Sequence, residues 1–395
     1  MSATIRVLHA DDSSAVRRLV SETLAAEHDI DIVGAARDGR EAVSMFESNR
    51  PDVVLLDVEM PVMDGIAAVR QIRRTDRKTP ILMFSSLTVR GGEATLDALS
   101  SGANDYVAKP TGASHVQQAV AYIKTELVPK IRMWGSKVAS DRGPAIHINR
   151  AAPTSTASAG PGSPAVPVRA VNIRPAAPTQ TPISGGEAPG VRRTPGGPVE
   201  VIAIGSSTGG PNALAEVVGK LPPGLNIPIV IVQHMPALFT KLLAERLDRI
   251  CPMRVREAEK GAVVRPGEIW IAPGDFHMVL RKVRNEVQID LNQNAPENSC
   301  RPAVDVLFRS VAEVYGGRSM GVILTGMGRD GTEGARVMRG KGAYIVAQDE
   351  PTCVVWGMPR AVTEAGLADR VLPLNEIPTE MITRCRMTTK VPVTV

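Results

Sequence analysis

Two groups of residues in this chain have the types and the placement to do chemistry. The first is acidic. Asp11 and Asp12 directly follow the apolar run IRVLHA, Asp57 stands near the end of DVVLLDV, and Lys109 closes DYVAK ahead of Pro110. Carboxylates gathered that closely repel one another, and the usual resolution is a divalent cation held by oxygen ligands. Mg²⁺ keeps several of its waters and also takes phosphate oxygens, so an acidic cluster with one lysine suits phosphoryl chemistry. The same placement also fits strand-end acids that are only solvated.

The second group lies past the middle of the chain. In VEVIAIGSSTGGPNAL an apolar strand runs into Gly205, and a helix is expected to begin near Pro211, where proline suits the first turn. Such a strand–turn–helix admits anion binding at the helix N-terminus. It also admits a nucleophile at Ser207, the centre of the G-x-S-x-G turn from Gly205 to Gly209. A dinucleotide site would need an acid about 20 residues on, but IPIVIVQHMP delivers Gln233 and His234 there. An imidazole beside a serine at neighbouring strand ends is the raw material of a base and a nucleophile. Alone, a histidine such as His234 is more often structural, but its place beside the serine changes that balance. A third run, SMGVILTGMGRDGTEGA, brings Asp330 to the same sheet edge, where it can orient the imidazole. Asp349 in IVAQDE competes for that role, as does Asp275 with His277 in WIAPGDFHMVL. There, Pro-Gly-Asp between two alternating runs is expected to form a hairpin turn.

Parallel α/β sheets are what these groups require, because ligands in such sheets bind beyond the carboxyl ends of the strands. Five short apolar runs (IRVLHA, DIVGAA, DVVLLDV, ILMFSS, DYVAKP) alternate with stretches at helical period in residues 14–26, 39–49, 63–74 and 92–102. The expected fold class is α/β, with two doubly wound parallel-sheet domains joined by a long linker.

Composition locates that linker. Residues 131–199 carry eight Lys and Arg against two Asp and Glu, whereas the rest of the chain holds 38 against 39. The net charge of +5 therefore belongs to one segment, and no basic stripe interleaved with aromatics suggests a nucleic-acid surface. Residues 143–200 also hold eleven of the 31 prolines. With so little apolar surface to offset ordering entropy, residues 140–198 are expected to be a disordered tether. No run of about 18 apolar residues argues for a membrane span, no long apolar leader for secretion, and four scattered cysteines fit a reducing cytosol. The expectation is a cytoplasmic protein without membrane insertion.

The motifs ADDS, LLDVEMPVMDG, the serine pair after the fourth run, and AKP together resemble a two-component receiver domain, over residues 4–125. The resemblance implies a flavodoxin-like fold with Asp57 as phospho-acceptor. It implies Mg²⁺ held by Asp11, Asp12, Asp57 and the backbone carbonyl of Glu59. Ser85 matches the family's switch hydroxyl, Tyr106 its switch aromatic, and Lys109 its phosphoryl contact. A cis Lys109–Pro110 bond is expected with them.

The motifs AIGSSTGGP, VQHMP, IAPGD, RPAVDVLF, LTGMGRDG and AQDEPTCVVWGMP resemble the catalytic domain of the chemotaxis protein-glutamate methylesterases, the CheB family, over residues 198–388. Residues 126–197 are then a helix end and linker, longer than is usual in the family. A Rossmann-like domain is implied, with Ser207 as nucleophile, His234 as base, Asp330 as acid, an oxyanion contact from the backbone of Met327, and no cofactor. Ser206 stands where the family usually has alanine. The implied activity is hydrolysis of glutamate methyl esters on methyl-accepting chemoreceptors, with deamidation of particular glutamines. The implied phosphodonor is the kinase CheA, and phosphorylation of Asp57 would relieve occlusion of the site. The rival readings are a nucleotide-binding output or an interaction module without hydrolase activity.

Overall fold

A computed structural model of the chain describes residues 4–86, 88–110, 116–141 and 198–386. Most of the expected tether, residues 142–197, lies outside the described residues.

The first domain alternates as its apolar runs require: β1 (Ile5–Ala10), α1 (Ser14–Ala25), β2 (Ile30–Ala36), α2 (Gly39–Asn49), β3 (Val53–Asp57), α3 (Gly65–Thr75), β4 (Ile81–Ser85), α4 (Val89–Ser100) and β5 (Asp105–Ala108). Polar residues start the helices by accepting their first free amides. Ser13 accepts from Val16, Asp38 from Arg40 and Glu41, Asp64 from Ala67, and Thr88 from Gly91. Each such cap contributes about 1 kcal/mol. The strands form one parallel sheet in the order β2-β1-β3-β4-β5. β3 and β4 are buried throughout, as strands covered by helices on both faces must be. The order reverses between β1 and β3, and that crevice receives Asp11 and Asp57. The domain closes with α5 (Val116–Tyr122), a π-helical turn over Ile123–Leu127, and α6 (Val128–Asp141). Leu127, Val128 and Ile131 pack into the same core as Ile5 and Val53.

The second domain holds β6 (Val201–Ser206), α7 (Gly210–Gly219), β7 (Ile229–Gln233), α8 (Ala237–Ile250), β8 (Arg254–Glu257) and β9 (Glu268–Ile271), followed by β10 (His277–Val283) and β11 (Glu286–Asn292). After these come α9 (Val304–Tyr315), β12 (Ser319–Ile323), α10 (Thr332–Gly340), β13 (Tyr344–Gln348), α11 (Met358–Glu364), β14 (Arg370–Leu372) and α12 (Ile377–Arg386). Seven of the strands form a parallel sheet in the order β14-β13-β12-β6-β7-β9-β8. The chain starts at β6, winds outward one way to β8, then crosses to β12 and winds the other way. The sheet is therefore doubly wound, with its switch point between β6 and β12.

Pro273-Gly274-Asp275 does not make the expected hairpin. It joins β9 of the parallel sheet to β10, which pairs antiparallel with β11 in a separate ribbon. The two runs belong to different sheets, and neither alternates in burial along its length. Lys109–Pro110 is also not cis; among the described residues that bond occurs at Arg301–Pro302. The X-Pro preference is only about 0.5–1 kcal/mol, so surroundings and not residue type decide it.

The two sheets meet through α4 and β5 of the first domain and α7 and α8 of the second. Tyr106 stacks on Phe239 with ring centroids 4.9 Å apart and planes within 13°. A Cβ on Gly92 would lie 2.6 Å from Leu242 Cδ1, so the helices approach closely there. Arg246 donates to the carbonyl of Leu96 at 2.9 Å, and Asn212 to that of Leu99 at 3.0 Å.

Candidate functional site

Register places the second group. Ser206 pairs with Gln233 across β6 and β7, so Ser207 and His234, each the next residue, leave the sheet side by side. Gly205 pairs with Ile323, which brings the loop after β12 to the other flank of Ser207. The Ser207 amide donates to Thr325 O at 3.0 Å, and Gln233 Nε2 donates to Ser207 O at 2.8 Å. Ser206 is buried and donates its hydroxyl to Gln233 Oε1 at 2.7 Å. That bond fixes which way the Gln233 amide faces, so Ser206 supports the turn while Ser207 borders the cavity. Gly209 follows at φ +76°, the left-handed region open to glycine, and begins α7. Gly326 lies where a Cβ would sit 2.8 Å from that of Ser207.

His234 Nε2 lies 2.8 Å from Asp330 Oδ2. An ionised carboxylate only accepts, so Nε2 carries a proton. Nδ1 faces the thiol of Cys300, with Sγ at 3.5 Å. Ser207 is bonded to neither nitrogen, so the expected serine–histidine hydrogen bond is not made; such contacts are often long without substrate. Burial alone would lower the imidazole pKa, but the hydrogen bonds with Asp330 and Cys300 outweigh it and push it up to about 10.

Asp330 is buried at 2% exposure and surrounded by donors. Oδ2 accepts from His234 and from Val304 N at 2.6 Å. Oδ1 accepts from Asp305 N and Gly331 N, each at 3.0 Å, and from Asn298 Nδ2 at 2.9 Å. Two of those amides open α9, where the helix dipole favours an anion. Burial works against ionisation, yet the bonds from His234 and the backbone hold the carboxyl below its usual range.

The competing acids are employed elsewhere. Asp275 accepts from Arg301 Nε and Gln293 Nε2 at 3.0 Å. Buried His277 lies 3.1 Å from Ala295 O and accepts from Ala303 N. Asp349 accepts from Thr352 N at 3.1 Å in the turn after β13. Sequence reasoning missed Asn298, Cys300 and Asp305. Asn-Ser at 298–299 is a turn dipeptide, but nothing in its spacing points to residues 64 positions upstream or 32 downstream.

A cavity of about 730 Å³ is lined by Ser207, His234, Cys300 and Met327. Met327 is 44% exposed in the loop after β12. Tyr106, Tyr122 and Lys130 of the first domain line the same cavity.

The first group converges as well. Oxygen atoms of Asp11, Asp12 and Asp57 lie within 4.8 Å of one another, the first and last buried and Asp12 exposed. Lys109 Nζ bridges Asp11 Oδ2 and Asp57 Oδ2, each at 2.7 Å. Burial raises the pKa of Asp57 to about 6, Lys109 offsetting part of the rise, and raises that of Asp11. Carboxylates short of donors around one small opening are a donor set suited to Mg²⁺. Glu59, two residues past β3, pairs its side chain with Arg90 at 3.3 Å. Ser85 closes β4, buried, with its hydroxyl 3.1 Å from Gly91 O.

Comparison with known proteins agrees with both halves. The response regulator receiver domain model matches residues 7–121, and the CheB methylesterase model matches residues 202–381. A protein-glutamate methylesterase/protein-glutamine glutaminase of Trichodesmium erythraeum is 41% identical over 96% of this chain and 98% of its own length. The protein of that name from Maricaulis maris is 45% identical over 96% of each. The chain belongs to the protein-glutamate methylesterase/protein-glutamine glutaminase family. Among solved structures, the catalytic domain of Thermotoga maritima CheB methylesterase is 47% identical, covering 47% of this chain and 98% of that one with a TM-score of 0.46. Within the family frame, the N-terminal sheet is the receiver and the seven-stranded sheet the methylesterase domain. Among the described residues, no helix is long and apolar enough to cross a membrane.

Proposed function

We propose that the chain hydrolyses glutamate methyl esters on methyl-accepting chemoreceptors, and deamidates particular glutamines there, with Ser207, His234 and Asp330. The observation that carries this reading is the His234–Asp330 hydrogen bond, beside Ser207 at adjoining strand ends in one cavity. Asp330 holds the Nε2 proton, and Nδ1 is the base in the neutral form of the ring. When that nitrogen turns from Cys300 to Ser207, it takes the hydroxyl proton as Oγ attacks the ester carbonyl. The backbone at Met327 is the oxyanion contact in this scheme. The imidazolium returns the proton to the departing methoxyl, methanol leaves, and water releases the glutamate by the same steps. An amide presents the same carbonyl with a poorer leaving group, so ammonia leaves in the deamidation.

Control belongs to the receiver. Asp57 accepts the phosphoryl group from CheA, with Lys109 against its oxygens. Asp11, Asp12, Asp57 and the carbonyl of Glu59 would hold Mg²⁺, whose charge offsets those oxygens. The receiver contributes Tyr106 to the cavity lining, and Tyr106 also stacks on Phe239. Phosphorylation biases the domains away from that arrangement, with Ser85 and Tyr106 as the switch pair.

Methanol release from methylated receptor membranes tests the reading. Release by the full chain should rise when Mg²⁺ and a small phosphodonor are added, and vanish in Ser207→Ala. Undiminished release by Ser207→Ala would overturn it.

A further inference from the structure

We infer that Asn298 is a positioning residue for ester hydrolysis: its amide holds the Asp330 carboxylate against His234 and separates it from a second buried carboxylate, Asp305. The inference rests on reading Ser207, His234 and Asp330 as the triad. Residues 297–300 form a tight turn closed by Glu297 N to Cys300 O at 3.1 Å and Cys300 N to Glu297 O at 2.8 Å. Asn298 and Ser299 are both left-handed, with φ of +52° and +62°. That region is costly for most residues and least so for asparagine. The turn delivers Cys300 to one nitrogen of His234 and Asn298 to the acid on the other.

Asn298 Nδ2 lies 2.9 Å from Asp330 Oδ1 and 2.9 Å from Asp305 Oδ2. One amide nitrogen has two protons, and each carboxylate takes one. Asp305 is 3% exposed, and its other oxygen accepts from Gly334 N at 2.6 Å. Two buried carboxyl groups thus share one neutral bridge at the N-terminus of α9. An acceptor there would repel both, and an apolar side chain would leave their negative potentials uncompensated. The charged or titratable groups facing the cluster are His234 after β7, Cys300 and Glu297 in the same turn, Asp305 and Arg309 from α9, with Arg309 paired to Glu297, and Asp330 itself.

Asn298→Gly tests this, since glycine keeps the left-handed backbone and removes only the amide. With the donor gone, Asp330 and Asp305 together hold the imidazolium more tightly. The acid limb of kcat/KM for methanol release should move up by about one pH unit, with kcat down about tenfold. The ¹⁵N titration of the His234 ring in the full chain without ester, assigned by its loss in His234→Gln, should move in the same direction. Adding Asp305→Asn to Asn298→Gly should bring both back toward the wild-type values. A slower Asn298→Gly enzyme whose acid limb and ring titration stay in place would overturn the inference. The ring titration needs no turnover, so it judges Asn298 even if Ser207→Ala still hydrolyses the ester and the triad reading fails.

Discussion

Asp57 and Asp330 are both buried aspartates at the carboxyl edge of a parallel sheet, and their surroundings push them in opposite directions. Asp57 receives Lys109 and the amide of Val58. Beside Asp11, that is too little to offset burial, and its pKa rises to about 6. Asp330 receives three backbone amides, an imidazole and a side-chain amide, and is held below the usual carboxylate range. An undersupplied carboxylate is a reaction partner, ready for a cation or a phosphoryl group. A saturated one is a fixed charge that orients its neighbour. The contrast supports the proposed roles, covalent chemistry for the acid in the receiver and electrostatic orientation for the acid in the hydrolase.

The strongest way to break that contrast is to remove the charge of the saturated acid. Asp330→Asn should keep the fold and lose about four orders of magnitude in methanol release, as a misplaced imidazole tautomer costs elsewhere. Asp275→Asn and Asp349→Asn should stay close to the parent rate. If either did the damage instead, the orienting acid would be wrongly assigned.

The undersupplied acid gives a pH test. Its raised pKa means that Asp57 is protonated below about 6 and a poor nucleophile there. At low Mg²⁺, incorporation of label from a small phosphodonor should fall as pH drops through 6. At saturating Mg²⁺ the fall should move to lower pH, because the cation favours the ionised form. Chelation should abolish incorporation, as should Asp57→Ala. A profile flat from pH 5 to 8 at low Mg²⁺ would contradict the burial argument.

A smaller effect probes the surface between the two acids. Arg246→Ala removes the bond to Leu96 O on α4. It should raise the unphosphorylated rate roughly 5-fold, at the low end of ordinary coupling energies, and shrink the stimulation by phosphodonor. An unchanged ratio would mean that this contact carries none of the control.

Much of this contrast was legible in the sequence, because an apolar run that stops at a polar residue marks a strand end. Asp11, Asp57, Ser207 and His234 could be placed that way. Asp330 needed one step more, since it lies seven residues beyond β12. The donors that make the two acids differ were not legible. Val304, Asp305 and Gly331 act through backbone amides, which any residue offers. Asn298 and Cys300 reach the site from a turn whose position depends on how the β10–β11 ribbon packs. Pro273-Gly274-Asp275 misled because a turn dipeptide signals a change of direction without saying which sheet comes next. Nothing in the sequence showed that the Ser206 hydroxyl, in a position where the family usually has alanine, would be bonded to Gln233.

In the proposed mechanism Ser207, and not its neighbour, is the nucleophile. The most direct measurement is peptide mapping of the full chain after reaction with a fluorophosphonate, in the presence of Mg²⁺ and a small phosphodonor. One adduct is expected on Ser207, formed at an undiminished level in Ser206→Ala and absent from Ser207→Ala and His234→Gln. An adduct on Ser206, or labelling of Ser207 that does not depend on His234, would contradict it.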